Sequence, residues 1–211
     1  MADACASSIA KSPASGNAKT STIAEGNERL HFESIIDKWI THTSTDISDS
    51  FIAMMKAATG KTGELTEAQK RMHWFEIRGD NIMTSSETGS KANWAHYLYA
   101  MNLIKGHLHK HYGATMSEQV MLITPYARHK QLYQAAFQAL RDQQGWTEAE
   151  LPILADVASS IGHHRNILLI DLVVSKSGSD LDGMKDDRRL PVVFTCAKMS
   201  CWVIAGDLQH A

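Results

Sequence analysis

Four stretches hold side chains whose types and spacing could do chemistry. In "DDRRLPVVFTCAKMSCWVIAGD" (186–207) the pair Arg188 and Arg189 leads an apolar run into Thr195, Cys196, Ala197 and Lys198. The pattern asks for a charged group at Cys196, yet a thiol is mostly neutral at pH 7. In "VASSIGHHRNILLIDLV" (157–173) the hydroxyls of Ser159 and Ser160 stand near His163 and His164. Together they resemble a nucleophile with a base, but there is no Gly-x-Ser-x-Gly elbow to orient them. The histidines could also set a titratable group beside a phosphate, or be ordinary loop residues. "HLHKH" places His107 and His111 at i, i+4, a spacing that can share a metal on a helix. Without a carboxylate or Cys at a useful offset, a solvated basic helix end is the expectation. "MKAATGKT" (55–62) imitates a phosphate loop, but Met55 stands at the first Gly position and no apolar strand precedes it.

The elements that must position these groups follow from periodicity. The segment 1–26 is small, polar and aperiodic, and is expected to be a disordered tail. From 27 to 66 the spacing of Phe32, Ile35, Ile36 and Trp39, and then of Ile47, Phe51, Ile52, Met54 and Met55, predicts two short amphipathic helices. From 67 to 211, apolar strands alternate with helices. The strands are "MHWFEIRG", "EQVMLITPY", "LPILADVA", "RNILLIDLVVS" and "CWVIAG", with long helices in "WAHYLYAMNLIKGHLHKHYG" and "ARHKQLYQAAFQALRDQQG". The stretch "DNIMTSSETGSKAN" is expected to be a polar loop, and Trp94, Tyr97, Leu98, Met101, Ile104 and Leu108 to share one apolar face of the first long helix. Short apolar strands separated by helices predict an α/β domain with a mostly parallel sheet covered on both faces.

Composition narrows the function. A net charge of -2 removes the global attraction a phosphate-neutralising protein would use, leaving local basic patches. Three cysteines without framework spacing fit reduced thiols, in the cytoplasm or nucleus. No apolar run approaches the ~20 residues of a membrane span, so no membrane partner is expected.

Read in order, "SKAN" (90–93), "ITPYARH" (123–129), "VASSIGHHRN" and "RRLPVVFTCAK" resemble the second RecA-like domain of superfamily 1 RNA/DNA helicases, the nonsense-mediated-decay helicase type, over about residues 71–207. The resemblance implies a RecA-like, three-layer P-loop NTPase-type fold. It also implies a nucleic-acid track at Thr124, Pro125, Tyr126, Ser159, Ser160 and Thr195. His129 stands where the family motif has Gln. Nucleotide-facing positions fall on Gly162, His164, Arg188 and Arg189, and the arginine finger position is occupied by Cys196. A finger is worth about 10³–10⁵ in rate, and Cys cannot replace it. The family geometry further implies that Cys196 lies at a crevice rim, where Cys196→Arg would cost about 1 kcal/mol. "QKRMH" (69–73) echoes another motif of these helicases, with Arg71 as a distant nucleotide contact. No Asp-Glu dipeptide for magnesium occurs in the 211 residues.

The expectation is a degenerate helicase domain. It would bind single-stranded RNA or DNA, or a protein partner, without hydrolysing ATP. It would have no metal or cofactor of its own, with ATP and Mg²⁺ entering only beside a first RecA-like domain. The alternatives are a functional helicase fragment completed by such a domain, and a plain protein-interaction module.

Overall fold

The computed structural model describes residues 46–77, 82–174 and 193–206. The tail 1–26, the first expected amphipathic helix, and Arg188, Arg189 and Pro191 lie outside them. Helix α1 (Asp49–Thr59) is capped by Ser48, whose side chain accepts the Phe51 N–H, and it buries Phe51 and Met55. A short α2 (Glu67–Arg71) with a Thr66–Gln69 capping box leads directly into strand β1 (Met72–Glu76). Then follow β2 (Ile82–Thr84), β3 (Lys91–Asn93) and α3 (Trp94–Leu103). A π-helical turn (Ile104–Leu108) carries α3 on into α4 (His109–Tyr112). After α5 (Met116–Gln119) come β4 (Val120–Ile123), α6 (Ala127–Gln144), β5 (Ile153–Ala155), α7 (Val157–Ser160), β6 (Arg165–Asp171) and β7 (Ala197–Ala205).

The main sheet has the order β1-β7-β6-β4-β5. Every pairing in it is parallel. The strands bury both faces, as parallel strands between helices must. Val120, Leu122, Ile167, Leu169, Trp202 and Ile204 pack with Phe51, Met55, Leu103, Ile104 and Phe137 in one core. Their alternate neighbours Met121, Ile123, Leu168, Ile170, Cys201 and Val203 pack on the other face with Val157, Val193 and Phe194. This is the α/β, mostly parallel, helix-covered sheet that the apolar strand pattern predicts. Residues of α1 belong to the first core, so the described part of the 27–66 segment packs into the sheet domain.

Two expectations change. The "polar loop" holds the antiparallel β2–β3 hairpin, with Met83 opposite Ala92. On α3, Trp94 is 46% and Leu98 52% exposed, while His96, Ala100, Met101 and Leu103 are buried. Met101, Ile104 and Leu108 of the expected face are buried, Trp94 and Leu98 are not, and His96 is inside, hydrogen-bonded to a carboxylate on the sheet. The open edge of β5 is closed to further pairing at both ends. Pro152 brings no N–H, and the Asp156 N–H is held by Ser159 Oγ at 3.0 Å.

Asp156 also caps α7, accepting the Ser159 N–H at 2.8 Å, and meets Lys130 Nζ at 2.9 Å. The Ser159 amide, then Lys130, holds its carboxyl down at about 2. Asp156→Ala is expected to cost about 1 kcal/mol at neutral pH. Because the folded carboxyl is the lowered one, this contribution is complete above about pH 4 and is lost as pH falls towards 2. Urea unfolding of both proteins across that range checks it.

Candidate functional site

The resembled motifs occupy two ends of the sheet. At the carboxyl ends of β4 and β5 lie Thr124, Pro125, Tyr126 and Ser159. Thr124 is fully buried, its N–H donates to the Ala155 carbonyl at 3.2 Å, and its Oγ1 has no hydrogen-bond partner among the described residues. Tyr126 is 6% exposed and Lys91 Nζ stands 5.6 Å from its ring centre. A base cannot stack on a ring so covered, which favours packing over the base-stacking role. Around the first turn of α6 the Arg128 N–H donates to Ser90 Oγ at 3.0 Å. Lys91, Arg128 and Lys130 are half-buried cations near this helix N-terminus, where the dipole adds positive potential. Ser90 and the exposed Ser159 add hydroxyls.

At the amino ends of β6 and β7, about 20 Å along β6 from its carboxyl end, lie Thr195 and Cys196, and α7 with the turn after it, carrying Ser160, Gly162 and His164, runs between the two ends. The Arg165 N–H donates to the Cys196 carbonyl at 3.1 Å, which joins the two strand starts. Cys196 is 1% exposed and its thiol donates to the Ser160 carbonyl at 3.4 Å. Burial pushes this thiol up, against a smaller downward pull from the Gly162 backbone. The crevice rim implied for Cys196 is therefore corrected: the side chain is part of the core beside Val193, Phe194 and Val157. Ser160 is fully buried, with its hydroxyl donating to the Val157 carbonyl at 2.8 Å. Gly162, His164 and Thr195 are exposed. Neither Ser159 nor Ser160 engages His163 as a nucleophile would a base. The Ser159 hydroxyl instead donates to the Asp156 carbonyl at 3.2 Å.

The "ATGKT" stretch sits at the wrong end of a helix for phosphate. Gly60, at φ 68, is the C-cap of α1, where carbonyls rather than N–H groups point outward. Arg71 is buried and reaches the Met199 carbonyl at 3.4 Å, tying α2 to β7. Neither Gly60 nor Arg71 therefore offers a seat for a phosphate, and Arg188 and Arg189 lie outside the described residues. Among the described residues no group of three or more His, Cys, Asp or Glu is placed to hold a metal. His111 instead lies edge-on to Phe51, with ring centres 6.3 Å apart.

A third cluster escapes the sequence reading. Asp171, at the carboxyl end of β6, is the one buried carboxylate among the described residues. It accepts from four donors. His96 Nδ1 at 2.9 Å and the Val173 N–H at 2.9 Å reach Oδ1, while His129 Nε2 at 2.6 Å and the Tyr133 hydroxyl at 2.5 Å reach Oδ2. Burial alone would raise this carboxyl, but the facing His129 and His96 outweigh it and hold it far below the usual range. The Asn93 N–H donates to His129 Nδ1 at 3.3 Å, so Nε2 carries the ring proton that Asp171 accepts. The Asn93 side chain caps α3 through the Ala95 and His96 N–H groups and donates to the Val173 carbonyl at 3.0 Å. Val173 has φ 66, a left-handed conformation that strains a β-branched residue by about 1–3 kcal/mol. Asp171 and Asn93 hold that turn from both sides. The signal for the cluster is a lone carboxylate inside "ILLIDLVV", with histidines at the starts of two helices.

No curated protein matches the chain. Among the described residues no helix is long and apolar enough to cross a membrane. Residues 34–208, which include the whole parallel sheet, match the AAA_12 family, described as an AAA domain. The chain belongs to this family and is a superfamily 1 helicase-type domain with a RecA-like fold.

Proposed function

We propose that this domain is a degenerate second RecA-like domain of the nonsense-mediated-decay helicase type, which holds single-stranded RNA or DNA and does not turn over ATP by itself. The observation that carries this reading is Cys196. A buried thiol, already engaged with the Ser160 carbonyl, stands where the family's catalytic guanidinium would have to reach a phosphate. The position of Gly60 at a helix C-terminus supports it, since that stretch cannot cradle phosphates. The nucleic acid would lie over the first turn of α6, held by Lys91, Arg128 and Lys130 with Ser90 and Ser159. Thr124 and Tyr126 then support the track from beneath, because they are buried.

The test is a titration of labelled single-stranded RNA and DNA at low and physiological salt, with ATP turnover measured alongside. Binding that weakens with salt, and no turnover above background, is expected. Lys130→Ala should lower affinity on every sequence and reduce the salt slope by about 0.7, the value for one phosphate contact on a single strand. Salt-independent binding would contradict the track. ATP turnover of the pure chain would contradict the degenerate reading, whereas turnover gained only with a first RecA-like domain in trans would identify a helicase fragment. A protein-interaction module is the second reading, favoured by Trp94 and Leu98, exposed one turn apart on α3.

A further inference from the structure

The turn at the start of α6 carries cations and hydroxyls, but its own ring is covered, Tyr126 being 6% exposed. Proteins that hold single strands without reading their sequence pair such a positive surface with open aromatic rings on which bases stack. Trp94, the first residue of α3, is an open ring, 46% exposed. Its place beside the α6 turn is fixed through the backbone. The residue before it, Asn93, donates its N–H to His129 Nδ1 at 3.3 Å, within the first turn of α6. Ser90, on the same short stretch of chain, accepts the Arg128 N–H at 3.0 Å. Lys91 lies between them, its Nζ 5.6 Å from the centre of the Tyr126 ring. From Lys91 to Trp94 the backbone spans at most about 10 Å. The indole therefore stands beside the cations.

The indole is also supported from behind. Its ring centre is 4.9 Å from that of Tyr97, with the planes tilted by 35°. Tyr97 in turn lies 5.6 Å from Tyr133, whose hydroxyl donates to Asp171 at 2.5 Å. An aromatic column thus runs from the surface down to the buried carboxylate. A ring held in this way has little freedom left to lose when a ligand covers it. The same surface could cover a protein, but its neighbours decide the class of ligand. Lys91 and Arg128 are cations, Ser90 is a hydroxyl, and the carboxylate of Asp156 is already paired with Lys130 at 2.9 Å. Charge complementarity favours a polyanion that also carries flat rings.

We propose that Trp94 is the base platform of the single-strand track: phosphates rest on Lys91 and Arg128, and a neighbouring base stacks on the open face of the indole. This rests on the reading of the α6 turn as a track, and it adds the part of the ligand that the cations do not touch. Every base has a π face, so the platform accepts RNA and DNA and is indifferent to sequence.

The experiment uses the full chain with Trp94→Ala, Trp94→Leu and Trp94→Phe. The probes are labelled uridine and deoxythymidine oligomers, and an abasic deoxyribose-phosphate oligomer of the same length. On the strands that carry bases, Trp94→Ala should weaken binding about five- to hundredfold. The salt slope should stay as it was, since a stack displaces no counterion. Trp94→Phe should keep most of the affinity, whereas Trp94→Leu should lose nearly as much as alanine despite its apolar area. On the abasic strand all four proteins should bind alike. A Trp94→Ala protein that binds the base-bearing strands like the unaltered chain overturns the platform. So does a Trp94→Leu protein that binds them as tightly, because simple apolar contact, of the kind a protein partner uses, would then suffice. Equal losses on the abasic strand would also overturn it, since Trp94 would then act through the fold. Should Trp94→Ala not fold, as judged by urea unfolding, the phenylalanine and leucine variants decide by the same comparison. Salt-dependent binding that ignores Trp94 sinks the platform and leaves the track standing. Absence of salt-dependent binding sinks both.

Discussion

Cys196→Arg is expected to destabilise the domain severely, at a cost on the order of 4 kcal/mol. The side chain is 1% exposed, its thiol is spent on the Ser160 carbonyl, and its neighbours Val193, Phe194 and Val157 are apolar. A guanidinium there would be buried, would overfill the packed core, and would meet no carboxylate among these neighbours. A folded domain is stable by only about 5–15 kcal/mol, so this single change removes a large share. Cys196→Ala should cost only about 1 kcal/mol, since it deletes a small group without adding charge. Urea unfolding of the two variants beside the unaltered chain decides. A loss below about 1 kcal/mol for the arginine would put the position at the surface and revive the rim geometry. The magnitude is several times the cost expected from the resemblance alone, because a motif gives a position along the chain but not its depth.

Asp171→Ala should have a comparable effect, on the order of 3–5 kcal/mol. It strands the donors of His96, His129, Tyr133 and Val173 in a fully buried site, and each orphan costs about 1–3 kcal/mol before relaxation. Losing the buried charge offsets part of this. Asp171→Asn keeps the shape and one accepting oxygen, and should cost about 2 kcal/mol. The pH dependence carries the sign of a lowered carboxyl. The advantage of the carboxylate over the amide at this position is full above about pH 4 and disappears as acid protonates the folded carboxyl. Equal stability of the aspartate and asparagine proteins at pH 7, measured by urea unfolding, would mean that the carboxylate is not the centre of the cluster.

Much of the architecture was legible because local rules and global packing agree. The runs "VMLI" and "ILLI" are apolar at every position, and a strand is apolar on both sides only where helices cover both faces of a sheet. Pro125 ends β4, and Gly145 in the left-handed region ends α6, as their backbone preferences require. The β2–β3 hairpin was not legible, since two strands of three residues carry no period long enough to recognise. The burial of α3 was misjudged for a different reason. Trp94 and Leu98 have the apolarity of core residues and His96 does not, yet His96 is inside. Hydropathy weighs each side chain against water alone, whereas His96 is held by a partner 75 residues away.

By itself the sequence determined the class of fold, the order of the five sheet strands and the two long helices along the chain, and the family resemblance carried by four short motifs, because each rests on neighbours in the chain. Only the tertiary structure decided where those motifs meet. Parallel strands return each connection to the opposite end of the sheet, so Tyr126 and Cys196 stand a strand length apart rather than in one crevice. It alone decided that Cys196 is core and that Asp171, His96, His129 and Asn93 form one cluster. Burial and long-range hydrogen bonds exist only once distant segments pack together, and no spacing along the chain encodes them.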